Sequence, residues 1–111
     1  MAKKKASPFA GRWGIESMSM WDADYLHQEE PAYIAFSADG RGAFHFGYVH
    51  GAMTCRDGTR GGKPSVEFTW EGNDEMDDAH GSGWAVRSED RLHGEIAFHS
   101  GDVSDFVARL A

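Results

Sequence analysis

VEFTWEGNDEMDDAHGSGWAV, residues 66–86, decides how the chain is read. Val66, Phe68 and Trp70 alternate with polar residues at its start, and Trp84 and Val86 stand at alternate positions at its end. Period-two alternation marks a strand with one buried face. Between these flanks Glu71, Asp74, Glu75, Asp77 and Asp78 crowd together, and charged groups of this kind are almost never buried unpaired. The stretch therefore reads as a β-hairpin. It has aromatics inward and an acidic loop over residues 71–80 in water.

Working towards the C-terminus, Ser88-Glu89-Asp90 is a turn. Beyond it Leu92, Gly94, Ile96 and Phe98 share one face, and His93, Glu95, Ala97 and His99 the other. Pairing Val86 with Leu92 sets Trp84 opposite Gly94, with the indole over the glycine. After Gly101-Asp102-Val103, the residues Phe106, Ala108 and Leu110 face inward. Pairing Phe98 with Phe106 places His99 opposite Asp105 and Glu95 opposite Arg109, a register favoured by charge.

Working towards the N-terminus, Arg56 to Lys63 is a turn-rich loop before Pro64. Phe44, Phe46 and Tyr48 lie on one face of a run ending near Arg56, which Gly47 and Gly51 bend or divide. Tyr33 to Ser37 pairs with it through Ala38-Asp39-Gly40. A three-residue loop with Gly40 left-handed brings Ile34 against Phe44, whereas a two-residue turn would put the large apolar residues on opposite faces. Phe9, Trp13 and Ile15 are the inward set of the first strand. Between these strands, Trp21 and Tyr25 lie one helical turn apart, Ser19 is a candidate cap, and Pro31 ends any helix.

The chain is thus expected to be all-β. It is an antiparallel up-and-down meander of seven or eight strands, with one short helix after the first. Such a meander curls into a small barrel or a strongly curled sheet, because closure removes its edges. At 111 residues it is expected to form one domain over residues 9–111, with residues 1–8 a disordered basic tail.

A net charge of −7 argues against nucleic acid, which needs a lysine and arginine footprint. No apolar run is long enough to span a bilayer, and none follows Lys3-Lys4-Lys5 as a signal peptide requires. Cys55 is the single cysteine, so no internal disulfide forms and a cytoplasmic setting is expected.

Gly11-Arg12-Trp13 resembles the G-x-W signature of the calycin barrels, the lipocalin, avidin and fatty-acid-binding class. That resemblance implies a barrel whose first-strand tryptophan plugs one end, with a basic residue from the last strand, here Arg109, across it. Phe9 to Trp13, Val66 to Glu75 and Gly83-Trp84-Ala85 are similar to a family of small bacterial β proteins with no assigned function. This second likeness implies a bacterial origin and a compact domain, but no activity.

The residues that bear chemistry give a short harvest. The acidic segment does not match the ligand spacing of a calcium loop. His93, Glu95 and His99 share a strand face, yet the chain has no zinc spacing, no P-loop, no dinucleotide fingerprint and no nucleophile elbow. His45 and His50 bracket an aromatic strand with Cys55 downstream. No catalytic residue, cofactor or metal is expected.

The expected function is a non-enzymatic binding domain for a small apolar or aromatic ligand in the barrel interior, whose candidate lining is Trp13, Phe36, Phe44, Phe46, Tyr48, Phe68, Trp70 and Trp84. The alternative is a protein-interaction module that offers Asp74, Glu75, Asp77 and Asp78, or an open sheet edge, to a basic protein partner. An enzyme or metal protein is the third reading.

Overall fold

The computed structural model describes residues 8–111. The basic tail expected over residues 1–8 therefore lies, Pro8 aside, outside the described residues. Eight antiparallel strands run in sequence order and close on themselves. They are β1 (Gly11–Met18), β2 (Tyr33–Phe36), β3 (Arg41–Phe46), β4 (Val49–Arg60), β5 (Lys63–Asp74), β6 (Asp77–Ser88), β7 (Arg91–Phe98) and β8 (Val103–Leu110). Among the described residues there is one helix, α1 (Ala23–Leu26), which follows β1. The expected up-and-down barrel is the observed one, with β1 pairing β8 to complete the wall.

The interior is built from rings laid over glycines. Phe44 pairs with Gly51, Phe68 with Gly83, Trp70 with Gly81 and Phe106 with Gly94 across neighbouring strands. A methyl group at Gly51 would overlap the Phe44 ring, and one at Gly83 the Phe68 ring. At these two positions the missing side chain is the space the partner ring occupies, whereas a methyl group at Gly81 or Gly94 would meet first the backbone of Ala97 or Trp84 on the adjacent strand. The rings then meet across the lumen: Phe44 and Phe98 each lie 5.1 Å from Trp70, with edges turned to faces. That geometry suits the aromatic quadrupole.

Both ends carry aromatic plugs. Before β1, Phe9 is fully buried against Phe36, and Trp13 donates its indole N–H to the Phe9 carbonyl at 3.0 Å. After β1, Trp21 stacks on Tyr25 and lies 5.1 Å from Phe46 and 6.0 Å from Phe98. Phe9 precedes the strand expected to include it, because β1 begins at Gly11. The helix cap is Asp22, whose carboxylate accepts from Tyr25 N, and not Ser19. Ser19 instead ties β1 to β8, accepting from Asp105 N at 2.9 Å.

The β2–β3 hairpin has the expected register, Ile34 opposite Phe44, with Gly40 at φ +85°. Elsewhere the turns are tighter than expected. The run from Phe44 divides at Gly47-Tyr48, so Tyr48 sits in a turn beside Tyr25 and does not line the interior. Gly47 has φ +56° in this turn, and a Cβ there would overlap the Tyr25 ring. The acidic segment is no loop: β5 and β6 run on to an Asp74–Asp77 pair, leaving Glu75-Met76 as the turn.

Between β6 and β7 the turn is Glu89-Asp90 alone, which pairs Ser88 with Arg91 and Val86 with His93. One residue of slip turns every side chain to the other face. Trp84 and Val86 therefore belong to the outer wall, and Ala85 packs inside opposite Gly94. Arg87 turns inward at the barrel end, 5.1 Å from the Trp13 ring centroid, and it also donates to the Pro8 carbonyl. The basic group across Trp13 is thus Arg87 and not Arg109.

The β7–β8 register is shifted by four residues from the one that charge favoured. Gly94 faces Phe106 and Glu95 faces Asp105. Arg109 stands opposite Arg91, and Glu16 lies between them at 3.8 Å and 3.7 Å. Exposed ion pairs contribute a few tenths of a kcal/mol, too little to override the packing of Leu92, Ile96, Phe106 and Ala108 on the inner face.

The two faces make a direct test. Trp70→Ala should lower unfolding free energy by about 3–5 kcal/mol, as for other buried aromatics. Trp84→Ala should cost under about half of that, because its indole is part-exposed on the outer wall. Urea denaturation of both variants measures the difference, and equal losses would contradict the assignment of faces.

Candidate functional site

Of the residues expected to line a ligand pocket, Trp13, Phe36, Phe44, Phe46, Phe68 and Trp70 are buried together inside the barrel. They are one another's neighbours there, with Phe44 and Phe46 stacked at 5.7 Å and Phe36 at 6.5 Å from Phe68. Tyr48 and Trp84 lie elsewhere, as described. A cleft of about 720 Å³ opens on the outer wall across β4 to β7.

Strand register builds this cleft as two parallel rows. Arg56, Glu67, Trp84 and Glu95 stand opposite one another on four successive strands. The row beside it is Thr54, Thr69, Ser82 and Ala97. Alternation places both rows outward, since the intervening positions carry Cys55, Phe68, Gly83 and Ile96 inward. One row is aromatic and charged, and the other offers hydroxyl groups.

Trp84 is held at the centre. Its indole N–H donates to Glu95 Oε1 at 3.2 Å, and the Arg60 guanidinium lies 4.2 Å from its ring centroid. The His93 ring meets it edge-on at 6.4 Å. Arg60 reaches this position because β4 and β5 extend to a Gly61-Gly62 turn, both glycines at positive φ. Arg56 and Glu67 pair at 3.8 Å with both side chains exposed, so this ion pair opens readily to a ligand. The arrangement supplies a flat ring, two guanidinium groups and three hydroxyls on a rigid sheet.

Asp74, Glu75, Asp77 and Asp78 come together at the tip of the β5–β6 hairpin. Met76 projects between them, 98% exposed. Asn73 donates to the Glu75 carbonyl at 2.9 Å and braces the turn. Among the described residues the acidic tip contributes no convergent set of cation ligands.

The remaining expectations resolve through strand parity. His99 stacks on His80 at 4.4 Å and does not face Asp105. Cys55 points inward while His50 points outward from the same strand, so no Cys–His pair assembles. Burial, and secondarily Asp57, pushes the Cys55 thiol up to about 11. A thiol held protonated at neutral pH is a poor nucleophile.

Reasoning from sequence passed over Arg60 and Glu29. A Gly61-Gly62 pair at a two-residue turn is a readable hairpin signal, and it would have placed Arg60 on β4. Glu29 gave no signal, because it acts from a segment without periodicity. Comparison with protein-family models, curated proteins and solved structures finds no match to this chain.

The Cys55 environment fixes a pH dependence. In the unfolded chain the thiol releases its proton near its ordinary value of 9.0, and in the folded protein only near 11. Its contribution to stability is fully present below pH 9 and is lost as pH rises towards 11. Urea midpoints should fall across that window, and Cys55→Ala should flatten the fall. Iodoacetamide labelling of the native protein should accelerate through pH 10 with no plateau near neutrality.

Proposed function

We propose that this is a non-enzymatic binding domain for a small aromatic ligand, seated in the outer cleft and not in the lumen. One observation carries the reading: an outward tryptophan, oriented by Glu95 and Arg60, stands at the centre of a cleft rich in hydrogen-bonding groups. A ligand ring gains by lying on the indole, and the Thr54, Thr69 and Ser82 hydroxyls fix its orientation. Arg56 and Arg60 favour a ligand bearing a carboxylate. A filled barrel supports this placement, because a ligand entering the lumen would have to displace packed rings. A calycin-like ancestry, a bacterial source and a cytoplasmic setting fit this reading and belong to it as proposals.

Tryptophan fluorescence over a panel of aromatic carboxylates tests it. Saturable quenching is expected, lost in Trp84→Ala and weakened about tenfold in Arg60→Ala, which removes one charge-assisted contact. Quenching that survives Trp84→Ala but disappears in Phe44→Leu would place the ligand inside the barrel. Silence across the panel would count against an aromatic carboxylate.

A second reading is supported by the hairpin tip, where an almost fully exposed methionine is ringed by four carboxylates. It makes the tip a docking finger for a basic protein partner. Neutralising Asp74, Glu75, Asp77 and Asp78 to amides should then slow association and remove its salt dependence in surface-binding measurements. Unchanged kinetics in that variant would exclude the finger.

A further inference from the structure

The outer wall holds a separate cluster on β3 and β4. His45 and His50 are directly opposed across the Gly47-Tyr48 turn, and their rings lie 3.9 Å apart at 20°. Glu29 enters from the segment between α1 and β2. Its Oε1 lies 3.0 Å from His45 Nε2 and 3.4 Å from His50 Nε2. The Gly47 carbonyl oxygen is 3.0 Å from the same His45 nitrogen, and Glu30 Oε1 is 3.7 Å from Nδ1 on the ring's other side.

Three features of this cluster point to a cation. First, one ligand atom from each of Glu29, His45 and His50 lies within 4.8 Å of the others. Ligands at about 2.0–2.1 Å around a tetrahedral ion stand roughly 3.3 Å apart, close to the two contacts of Glu29 Oε1. Second, His45 is only 3% exposed although it points outward, because this segment covers it. The oxygens nearest to its Nε2, from Glu29 and Gly47, are both electron-pair donors. Third, Glu30 Oε1 stands 3.7 Å from Nδ1, too far to hydrogen-bond but close enough to add a second negative charge beside the ring.

The frame is braced before any ion arrives. Gly47 N donates to the Leu26 carbonyl at 2.8 Å, and Ala32 N to His27 Nδ1 at 3.0 Å. The first ties the Leu26 end of the segment that carries Glu29 to the barrel, and the second closes that segment on itself. Ile15 N, donating to the Ala32 carbonyl at 2.9 Å, ties its other end to β1. Nearly parallel rings do not aim two lone pairs at one point, so one must turn. His50, half-exposed, is free to do so, whereas His45 is enclosed.

We propose that Glu29, His45 and His50 form a site for a divalent transition-metal ion of the Zn²⁺ class. The Gly47 carbonyl or a water would complete the coordination. Two imidazoles and one carboxylate suit zinc, copper, nickel or iron; magnesium and calcium prefer all-oxygen shells. The site is independent of the cleft proposed above.

Calorimetric titration of the full chain, prepared without a histidine tag, with Zn²⁺ tests this. A single saturable equivalent is expected in the parent protein. His50→Ala and Glu29→Gln, both at exposed positions, should each weaken it on the order of tenfold or more, with unchanged circular dichroism. Co²⁺ in place of Zn²⁺ should give visible absorption that His50→Ala removes. No saturable binding would overturn the proposal, as would binding untouched by both variants. Binding lost only in His80→Ala would overturn it too, by moving the ion to the other stacked pair.

Discussion

Aromatic rings seated on facing glycines set the terms for the rest of this barrel. Eight strands enclose a lumen just wide enough for side chains. Phe44 and Phe68 fit because Gly51 and Gly83 leave room on the neighbouring strand, and Gly81 and Gly94, opposite Trp70 and Phe106, let the backbones at Ala97 and Trp84 approach closely. Each pair also fixes register, since a slip by one residue would expose the ring and bury a polar neighbour. Hydrophobic burial and strand alignment are therefore one interaction.

A lumen filled in this way moves function to the outside. Strands β4, β5 and β6 are each twelve residues long, half as long again as β1, β7 or β8. Their excess length carries the Arg60 end of the cleft in one direction and the acidic tip in the other. The same outer wall holds the Glu29–His45–His50 cluster. Each of these features sits on a sheet whose inner face is locked by packing, so outward side chains are presented on a stiff support.

The turns decide what each outward residue does, and here sequence signals were uneven. Ala38-Asp39-Gly40 spelled its loop, because a glycine stood where the left-handed residue belongs. Glu89-Asp90 and Glu75-Met76 spelled nothing comparable. Glu89 at φ +59° and Glu75 at φ +55° adopt the left-handed region without being glycine, at a cost of about 1–2 kcal/mol each. Packing on the flanking strands offsets that cost, and packing between distant strands is not visible in a turn of two residues. Hence Trp84 was expected inside and stands outside. The β7–β8 register misled differently: its four-residue shift kept the inner face intact while replacing attractive charge pairs by Glu95 beside Asp105. Weak surface charges are a poor guide to register when packing on the inner face competes.

By itself the sequence determined the class of fold, the sequential antiparallel order, the helix after β1 and most of the inner aromatic set. Those follow from period-two alternation and from turn residues, which are local. Tertiary structure alone decided that the rings fill the lumen, that Arg87 and not Arg109 reaches Trp13, and that Trp84 faces out beside Arg60 and Glu95. It also brought Glu29 onto His45 and His50, sixteen and twenty-one residues further along the chain. The physical reason is the same in each case. Closure couples strands far apart in sequence, and a site on a barrel wall is fixed by the register between strands.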